Sequence, residues 1–435
     1  MFRSASPWRA HARRFCASVS ASVLVVAAPS FAADREPQAR VPGLQALFDA
    51  AWARQPEAQA ARLRREALLA RREAAESWTV EPPALELSTK TEQLNRDRGG
   101  REQAIGIAIP LWLPGERDRA AALADADAQA SEARLASARL RIAALVRDAY
   151  WNWQRARVEQ ALAQDRLASA RALASDVARR VEAGDLARAD RHQADGNAAA
   201  AEGDSALARA QATAAFHQVR ALVGDAVAPG GEHVADYGGV ATEVDPLVAR
   251  FDPLPAHAEV RDALAQGEAA RRAAELARVQ TRANPEIAVS TARERGSFGD
   301  AYAQSMTFGL RFPFGSEPRN RARMAAAGAE ALEAEGRARI ARERIAAEIE
   351  AARARSGAAR EVAAAAERRA QLAREARGFF DRSFRAGETD LPTRLRIERE
   401  AVEAERLAAR ARIDHAAAVS ALRQALGLMP EETRP

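Results

Sequence analysis

The chain of 435 residues contains a single cysteine, Cys16, which excludes a disulfide framework and a cysteine-rich metal site. Aromatic residues make up only 5% of it, while alanine and arginine dominate long stretches. So few large side chains cannot fill several compact cores, and long helices that pack along their sides are favoured instead. The sequence also lacks a phosphate-cradling glycine motif and a nucleophile motif.

An excess of charge of one sign is also missing from most of the chain. Of the net charge of +5, four units come from Arg3, Arg9, Arg13 and Arg14, and no acid accompanies them in the first 33 residues. The remainder is close to neutral. The composition therefore gives no reason to expect nucleic acid as a partner.

The first 33 residues have the pattern of a secretory signal. A basic stretch up to Arg14 precedes an apolar run over residues 19–28, and the small residues around Ala32 provide a cleavage site. The apolar run is too short to span a bilayer. We therefore expect residues 1–33 to be a signal peptide of a bacterial envelope protein, with an N-terminal membrane anchor as the alternative.

The rest of the chain contains one series of elements twice. Three pairs of landmark residues keep one spacing of 203 residues: Pro110 with Pro313, Gly184 with Gly387, and Gly224 with Gly427. Three landmarks in register predict an internal duplication. We place the first repeat at 34–224, a connector at 225–255, the second repeat at 256–427 and a C-terminal tail at 428–435.

Each repeat is predicted to contain a β-hairpin, a long helix, a turn and a return helix. Alternation of apolar and polar residues indicates the strands, and alanine-rich runs indicate the helices. A further helix is predicted from Leu44 to Trp78. We expect hairpins at about 84–111 and 286–313, long helices at about 117–180 and 319–384, and return helices at about 186–223 and 390–426.

Apolar residues recur every seven positions along the first long helix, between Leu135 and Val177. An adjoining stripe contains Val146 and Trp153, and the second long helix repeats the period from Ile345 onward. A period of seven is typical of helices that pack as a coiled coil. Two stripes require a neighbour on each side, which favours a ring of helices over an isolated hairpin.

Each predicted strand has about the length that crosses a bilayer at a tilt. Four strands leave two unpaired edges, which hydrocarbon does not tolerate, so several chains must close a barrel. Two chains would give eight strands and three would give twelve. The alternative is a pair of exposed hairpins on a soluble bundle. The residues expected to face lipid are Leu85, Leu87, Ile105, Ile107, Ile109, Ile287, Val289, Met306, Phe308, Leu310 and Phe312.

The signal-like segment, the duplicated unit and the turn sequences RRVEAGDLARAD (179–190) and RSFRAGETDLPTR (382–394) resemble the TolC family of outer-membrane efflux proteins. The resemblance covers roughly residues 40–430. It implies a mainly α fold with a membrane β-barrel portion. In this fold three chains share a twelve-stranded barrel in the outer membrane, and their helices form a tube across the periplasm.

The resemblance also implies a function and partners. The homotrimer would be the passive export duct of a tripartite efflux system. Its partners would be a periplasmic adaptor (membrane fusion) protein, an inner-membrane pump of the resistance-nodulation-division type, and outer-membrane lipid, but no nucleic acid. The two turns are most similar to those of the heavy-metal and divalent-cation branch, which makes metal cations the candidate cargo.

The turns are where the resemblance places the adaptor and the channel entrance. The TolC pattern of two entrance aspartates one turn apart falls on Thr393 and Arg396 here, so a gate of that design is not expected. Helix capping is the alternative role for the acids nearby. The docking residues are Val181, Gly184, Asp185, Leu186, Arg385, Gly387, Glu388 and Leu391, and the candidate entrance acids are Asp185, Asp190, Glu388 and Asp390.

We expect no enzyme, metal site or cofactor. The histidines from His192 to His415 show no paired metal-ligand spacing. Most carboxylates alternate with arginine at helical spacing, where such pairs support the helix. The other function left open is a periplasmic coiled-coil adaptor or scaffold protein of an export system, which would share the signal and the coiled coil.

Overall fold

A computed structural model describes residues 43–94, 98–226, 243–246, 253–315 and 317–431. The predicted signal peptide and most of the predicted connector lie outside these ranges. Within them the chain forms seven α-helices and four β-strands. No helix in the described ranges combines the length and the apolar character needed to cross a membrane.

The order of elements repeats, which confirms the predicted duplicated fold. Each half contains a pair of strands, a very long helix and a return helix, preceded by shorter helices. The helices are α1 (Leu44–Ala53), α2 (Pro56–Glu76), α3 (Glu116–Ala183), α4 (Arg188–Val223), α5 (Ala258–Val279), α6 (Glu317–Arg385) and α7 (Leu391–Ala425). The strands are β1 (Ala84–Thr91), β2 (Arg101–Pro110), β3 (Glu286–Arg295) and β4 (Ala303–Arg311).

Two features differ from the sequence prediction. The helix predicted over Leu44 to Trp78 is divided into α1 and α2, because Pro56 begins α2 and holds Gln55 in an extended conformation (φ −71°, ψ 136°). Helix α5 was not assigned from the sequence. It is the counterpart of α2 in the second repeat, so the duplication itself implies it.

The four strands form one antiparallel sheet in the order β1-β2-β3-β4. The two hairpins are joined by pairing between β2 and β3, so the sheet runs continuously across both repeats. Ile107 lies opposite Leu85 on one side and Val289 on the other, and Val289 lies opposite Phe308. One cross-strand row therefore takes one residue from each strand.

Helix α3 has 68 residues, and at 1.5 Å per residue it is about 100 Å long. Neither glycine nor proline interrupts it, and glycines in the left-handed conformation, Gly115 and Gly184, adjoin its two ends. Because no single shorter helix can cover such a rod, α2 and α5 pack on its first half and α4 on its second. The long α6 packs in the same way on α5 and α7.

The two largest clusters of buried side chains among the described residues join most of these helices. The first lies at mid-length among α1, α3, α4 and α7 and contains many of the aromatic residues, with Tyr150 and Trp151 in edge contact at 5.1 Å. The second lies near the turns and joins α3, α4, α6 and α7 around Val177 and Phe384. Val146 and Val177, from the two predicted stripes, are both buried. The structure thus gives α3 neighbours on two sides.

A short described segment of the predicted connector is fixed to the helices by buried charges. The Glu243 carboxylate accepts hydrogen bonds from the Arg147 guanidinium of α3 at 2.7 and 3.0 Å. It also lies 3.3 Å from Arg423 Nε of α7. All three side chains are at most 6% exposed. Since an unpaired buried charge is strongly unfavourable, the three groups depend on one another.

Candidate functional site: the apolar sheet face and the helix turns

Every second side chain of the sheet belongs to one apolar face. The residues predicted to face lipid all project from it, and they are largely exposed in the single chain, up to 73% for Phe308. A continuous apolar surface of this kind marks an interface with lipid or protein. Its rows are Leu85-Ile107-Val289-Phe308, Leu87-Ile105-Thr291-Met306 and Ile109-Ile287-Leu310. Phe312 follows β4 by one residue and is 46% exposed.

The opposite face of the sheet carries small and polar side chains. Gly106 lies against Ser290, where an added Cβ would be 3.0 Å from the Ser290 Cβ, so this face is closely packed across the strands. The charged residues of this face are Glu86, Lys90, Glu102, Glu286, Glu294 and Arg311. Acids therefore outnumber bases here by four to two.

The sheet remains open at its two sides. β1 pairs only with β2, and β4 pairs only with β3, among the residues that the structure describes. Each outer edge therefore presents backbone N–H and C=O groups that a further strand can pair with. An apolar face beside such edges cannot be placed in lipid until the edges are paired.

Aromatic side chains surround the end of the sheet at which the helices begin. Trp78 is 78% exposed and Phe314 is 90% exposed. Trp112 donates from Nε1 to the Ser77 carbonyl at 3.1 Å, and the Arg282 guanidinium lies 4.4 Å from the centre of the Phe312 ring. Aromatic residues of this kind concentrate where a membrane protein meets the headgroup level. Sequence reasoning did not single out the two tryptophans or Phe314, because they lie outside the strand alternation.

The two helix turns have the same geometry, 203 residues apart. Gly184 (φ 86°) and Gly387 (φ 78°) both adopt the left-handed conformation. The residue after each glycine donates its amide to a carbonyl five residues earlier: Asp185 to Arg180 at 2.8 Å, and Glu388 to Ser383 at 3.0 Å. This hydrogen bonding ends a helix at a residue that glycine adopts without strain.

The predicted docking residues are not equally accessible. Around both turns Gly184, Asp185, Arg385, Gly387 and Glu388 are exposed. Val181 and Leu186 are half-buried against the cluster near the turns. Leu391 is only 2% exposed and packs inside that cluster, so the structure gives it a packing position and presents no side-chain surface of Leu391 to a partner.

Two of the four candidate entrance acids act as helix caps. Asp390 is the N-cap of α7 and accepts from the Thr393 amide at 3.1 Å, while Asp190 accepts from the Ala187 amide at 3.0 Å at the start of α4. Hydrogen bonds from Thr393 lower the pKa of Asp390 below its usual 3.8. These two carboxylates therefore satisfy backbone donors at the helix starts, whereas Asp185 and Glu388 are exposed beyond the turns.

Two arginines pack on one aromatic ring inside the cluster near the turns. The guanidiniums of Arg180 and Arg394 lie 4.9 and 4.8 Å from the centre of the Phe384 ring. Arg394 also contacts the Asp381 carboxylate at 2.7 Å. Together these contacts link α3 to α6 and α7, so the two turns form one unit within the chain.

The described residues include no group of three or more His, Cys, Asp and Glu side chains placed to hold a metal ion. A cleft of about 730 Å³ lies among α3, α4, α6 and α7. Ion pairs line it, including Arg166 with Asp204 at 2.5 Å and Arg406 with Glu159 at 2.8 Å. Its charged groups are therefore engaged in helix contacts.

Comparison with known proteins gives a family and a set of similar folds. Residues 47–225 match the family described as outer membrane efflux protein. No curated protein sequence matches the chain. The outer membrane protein VceC of Vibrio cholerae is 18% identical, with a TM-score of 0.71 over 89% of this chain and 97% of that chain.

Two further solved structures have the same fold. The outer membrane channel CmeC of Campylobacter jejuni is 15% identical, with a TM-score of 0.69 over 90% of this chain and 87% of that chain. The MtrE outer membrane channel of Neisseria gonorrhoeae, in its open state, is 18% identical, with a TM-score of 0.70 over 89% of each chain. At this level of identity the likeness shows a shared fold.

Proposed function

We propose that the chain is the outer-membrane channel of a tripartite efflux system, because residues 47–225 match the outer membrane efflux protein family and the fold is that of solved outer-membrane channels. Three chains share one barrel of twelve strands, and their helices form a tube in the periplasm. The channel is a passive export duct. An inner-membrane pump of the resistance-nodulation-division type delivers the substrate through a periplasmic adaptor.

The observation that carries the proposal is a sheet with one apolar face and two open edges. Lipid can accept the rows around Ile107 and Phe308, but it cannot accept the unpaired backbone of β1 and β4. Pairing β1 of one chain with β4 of the next satisfies both edges and closes the barrel. A periplasmic adaptor, the other function considered, would leave this face in water, where a patch of that kind is unfavourable.

The helix turns support a docking site for the adaptor. They lie at the ends of α3 and α6, farthest from the strands, and they present Asp185, Arg385 and Glu388 to solvent. The exposed charges can pair with polar residues of a partner. The packed cluster beneath them, around Phe384 and Leu391, keeps the two turns in a fixed relation. A contact limited to such ends is small, so we expect weak binding.

The charges on the face opposite to lipid support cations as cargo. If the apolar face meets lipid, the small and polar face lines the lumen, and its acids exceed its bases by two in each chain. Rings of carboxylates favour the passage of cations through a pore. Divalent metal cations, suggested by the resemblance of the turns, are therefore the cargo to test first.

Selectivity in planar bilayers tests the lumen assignment. The reversal potential under a KCl gradient should indicate preference for K⁺, and the variant Glu102→Gln/Glu294→Gln should reduce that preference. The matched control Glu330→Gln/Glu333→Gln removes the same charge from α6. Anion preference in the unchanged protein would contradict the cation proposal while leaving the duct intact.

Fractionation tests the duct itself. The protein should be recovered with the outer membrane and should migrate differently on a gel before and after heating, because a closed barrel resists detergent until heated. In mild detergent its mass should equal three chains. Recovery as a soluble periplasmic protein would favour the adaptor and contradict the channel.

A further inference from the structure

Three arginines lie on the apolar face at the end of the sheet where loops join β1 to β2 and β3 to β4, which we call the loop end. Along β2 the residues of this face continue from Ile105 through Gln103 to Arg101, and along β3 they continue from Thr291 through Arg293 to Arg295. The strand register fixes these positions, since side chains two residues apart share a face. The three guanidiniums thus lie directly beyond the apolar rows, on the side that would meet lipid.

The two faces at this end of the sheet separate charge by sign. Glu102 and Glu294 are opposite each other on the lumen face, where Lys90 reaches Glu102 at 4.0 Å. Arg101 and Arg295 are opposite each other on the apolar face. No carboxylate of the described residues forms an ion pair with Arg101, Arg293 or Arg295. Like charges directly opposite across strands are destabilising unless an anion lies between them.

At the other end of the sheet, an arginine is neutralised by a carboxylate on the neighbouring strand. There Arg311 lies opposite Glu286 in the register, and the two side chains form an ion pair at 3.5 Å. The chain therefore neutralises a cross-strand arginine where its own acid is available. At the loop end the matching acids project from the opposite face, so the partner of the arginines must come from outside the sheet.

Aromatic rings hold two of the arginines in place. Arg293 lies 4.4 Å and Arg295 lies 5.1 Å from the centre of the Tyr302 ring. Arg295 also donates from Nε to the Gly99 carbonyl at 3.1 Å and approaches the Phe298 ring at 5.7 Å. Arg101 and Arg293 remain exposed. Guanidiniums fixed in this way present N–H groups in the geometry that binds phosphate oxygens.

We propose that Arg101, Arg293 and Arg295 form a binding site for the phosphate groups of a glycolipid in the outer leaflet of the outer membrane. The acyl chains of the lipid lie along the apolar rows, and its phosphates lie between the arginines. The inference rests on the proposed function, which puts the helices in the periplasm and the loop end at the cell surface. Headgroup binding then fixes the height of the barrel in the membrane.

Native mass spectrometry of the trimer with added lipid A measures the binding. Lipid A with both phosphates should bind, and lipid A without phosphates should bind far more weakly. The variant Arg101→Gln/Arg293→Gln should weaken binding of the phosphorylated lipid by about 30-fold, and each single change by about fivefold. Lys90→Gln/Arg311→Gln is the matched control, which removes two charges from the same sheet and should leave binding within about twofold of the unchanged protein.

The same spectra report whether each variant is still a trimer, and the single changes remain informative if the double variant fails to assemble. Equal binding of the two lipid forms would overturn the proposal, as would equal weakening by the control. Tight binding of inorganic phosphate would indicate a site for the free ion and would also overturn it. A trimer recovered from the outer membrane that shows no phosphate-dependent binding contradicts only this inference. Absence from the outer membrane contradicts the proposed function.

Discussion

Glu243 connects two helices that belong to different repeats. Its carboxylate is 2% exposed and lies against the guanidiniums of Arg147 and Arg423. We expect Glu243→Gln to destabilise the chain by roughly 3–5 kcal/mol, because it leaves the buried Arg147 guanidinium without an anion, whereas Arg423 keeps the Glu431 carboxylate at 2.8 Å. Chemical denaturation in detergent and limited proteolysis of the connector would measure this. Asp245→Asn, two residues away and exposed, is the control that should change neither the free energy of unfolding nor the rate of proteolysis.

Tyr150 provides a pH-dependent measurement of the mid-length cluster. Burial raises the pKa of its phenol from 10 to about 12. The raised pKa means that the stability gained from the neutral phenol is complete below pH 10 and is lost as pH rises toward 12. Ultraviolet titration of tyrosinate should show a component near pH 12 that is absent from Tyr150→Phe. If the variant keeps that component, the component does not come from Tyr150, and the buried position of this phenol is contradicted.

Near the turns, the sequence pattern predicted the backbone geometry but not the burial or the hydrogen bonding of individual side chains. The glycine spacing predicted both turns, but it did not separate the buried Leu391 from the exposed Glu388, because that depends on helices distant in sequence. Asp190 and Asp390 were candidates for both an entrance and a cap, and their hydrogen bonds to Ala187 and Thr393 show capping. Burial depends on contacts between distant parts of the chain and capping depends on the conformation of a side chain, and a local sequence pattern contains neither.

Among the elements, the strands followed most directly from the sequence. Strict alternation gave the apolar face, since the period of two assigns every second residue to one side. Alternation alone did not give the start of β2 at Arg101, because the polar residues 101–103 carry no apolar signal. The same limit concealed the arginines of the loop end.

Adjacent residues of β4 test the assignment of the two faces. Phe308 belongs to the apolar face and Thr307 to the opposite face, and both are exposed in the single chain. Phe308→Arg should destabilise the assembled barrel by roughly 2–4 kcal/mol if it lies near the bilayer midplane, because the charge enters hydrocarbon. Thr307→Arg should be tolerated, since its side chain enters the lumen. Heat-modifiable gel migration reports assembly, and equal loss in both variants would contradict the assignment.

The helix turns are tested by reversing exposed charges. In Asp185→Lys/Glu388→Lys both changes lie beyond the ends of α3 and α6, so the trimer should form. Efflux and cross-linking to the adaptor should both fall to background if the turns are the docking site. Glu361→Lys, an exposed acid along α6, is the control for charge alone. Normal efflux in the double variant would place the adaptor elsewhere.

At the scale of the whole molecule, the two stripes of α3 are covered within the chain, but the open sheet edges require neighbours that a single chain lacks. The sequence predicted this need from the strand count. It did not give the joining of the repeats through β2 and β3, which fixes β1 and β4 as the two outer edges. With the edges identified, the contact between chains can be tested directly.

Disulfide cross-linking between those edges tests closure of the barrel by three chains. The only natural cysteine, Cys16, lies in the predicted signal peptide, so introduced cysteines carry the result. Thr89→Cys in β1 is combined in turn with Gln304→Cys, Met306→Cys or Phe308→Cys in β4, and the proteins are oxidised in the membrane. For the combination in which the two cysteines lie opposite each other across neighbouring chains, a denaturing gel should show covalent dimers and trimers and no larger product. Cross-links confined to a single chain, or a ladder that continues past three, would contradict the shared barrel.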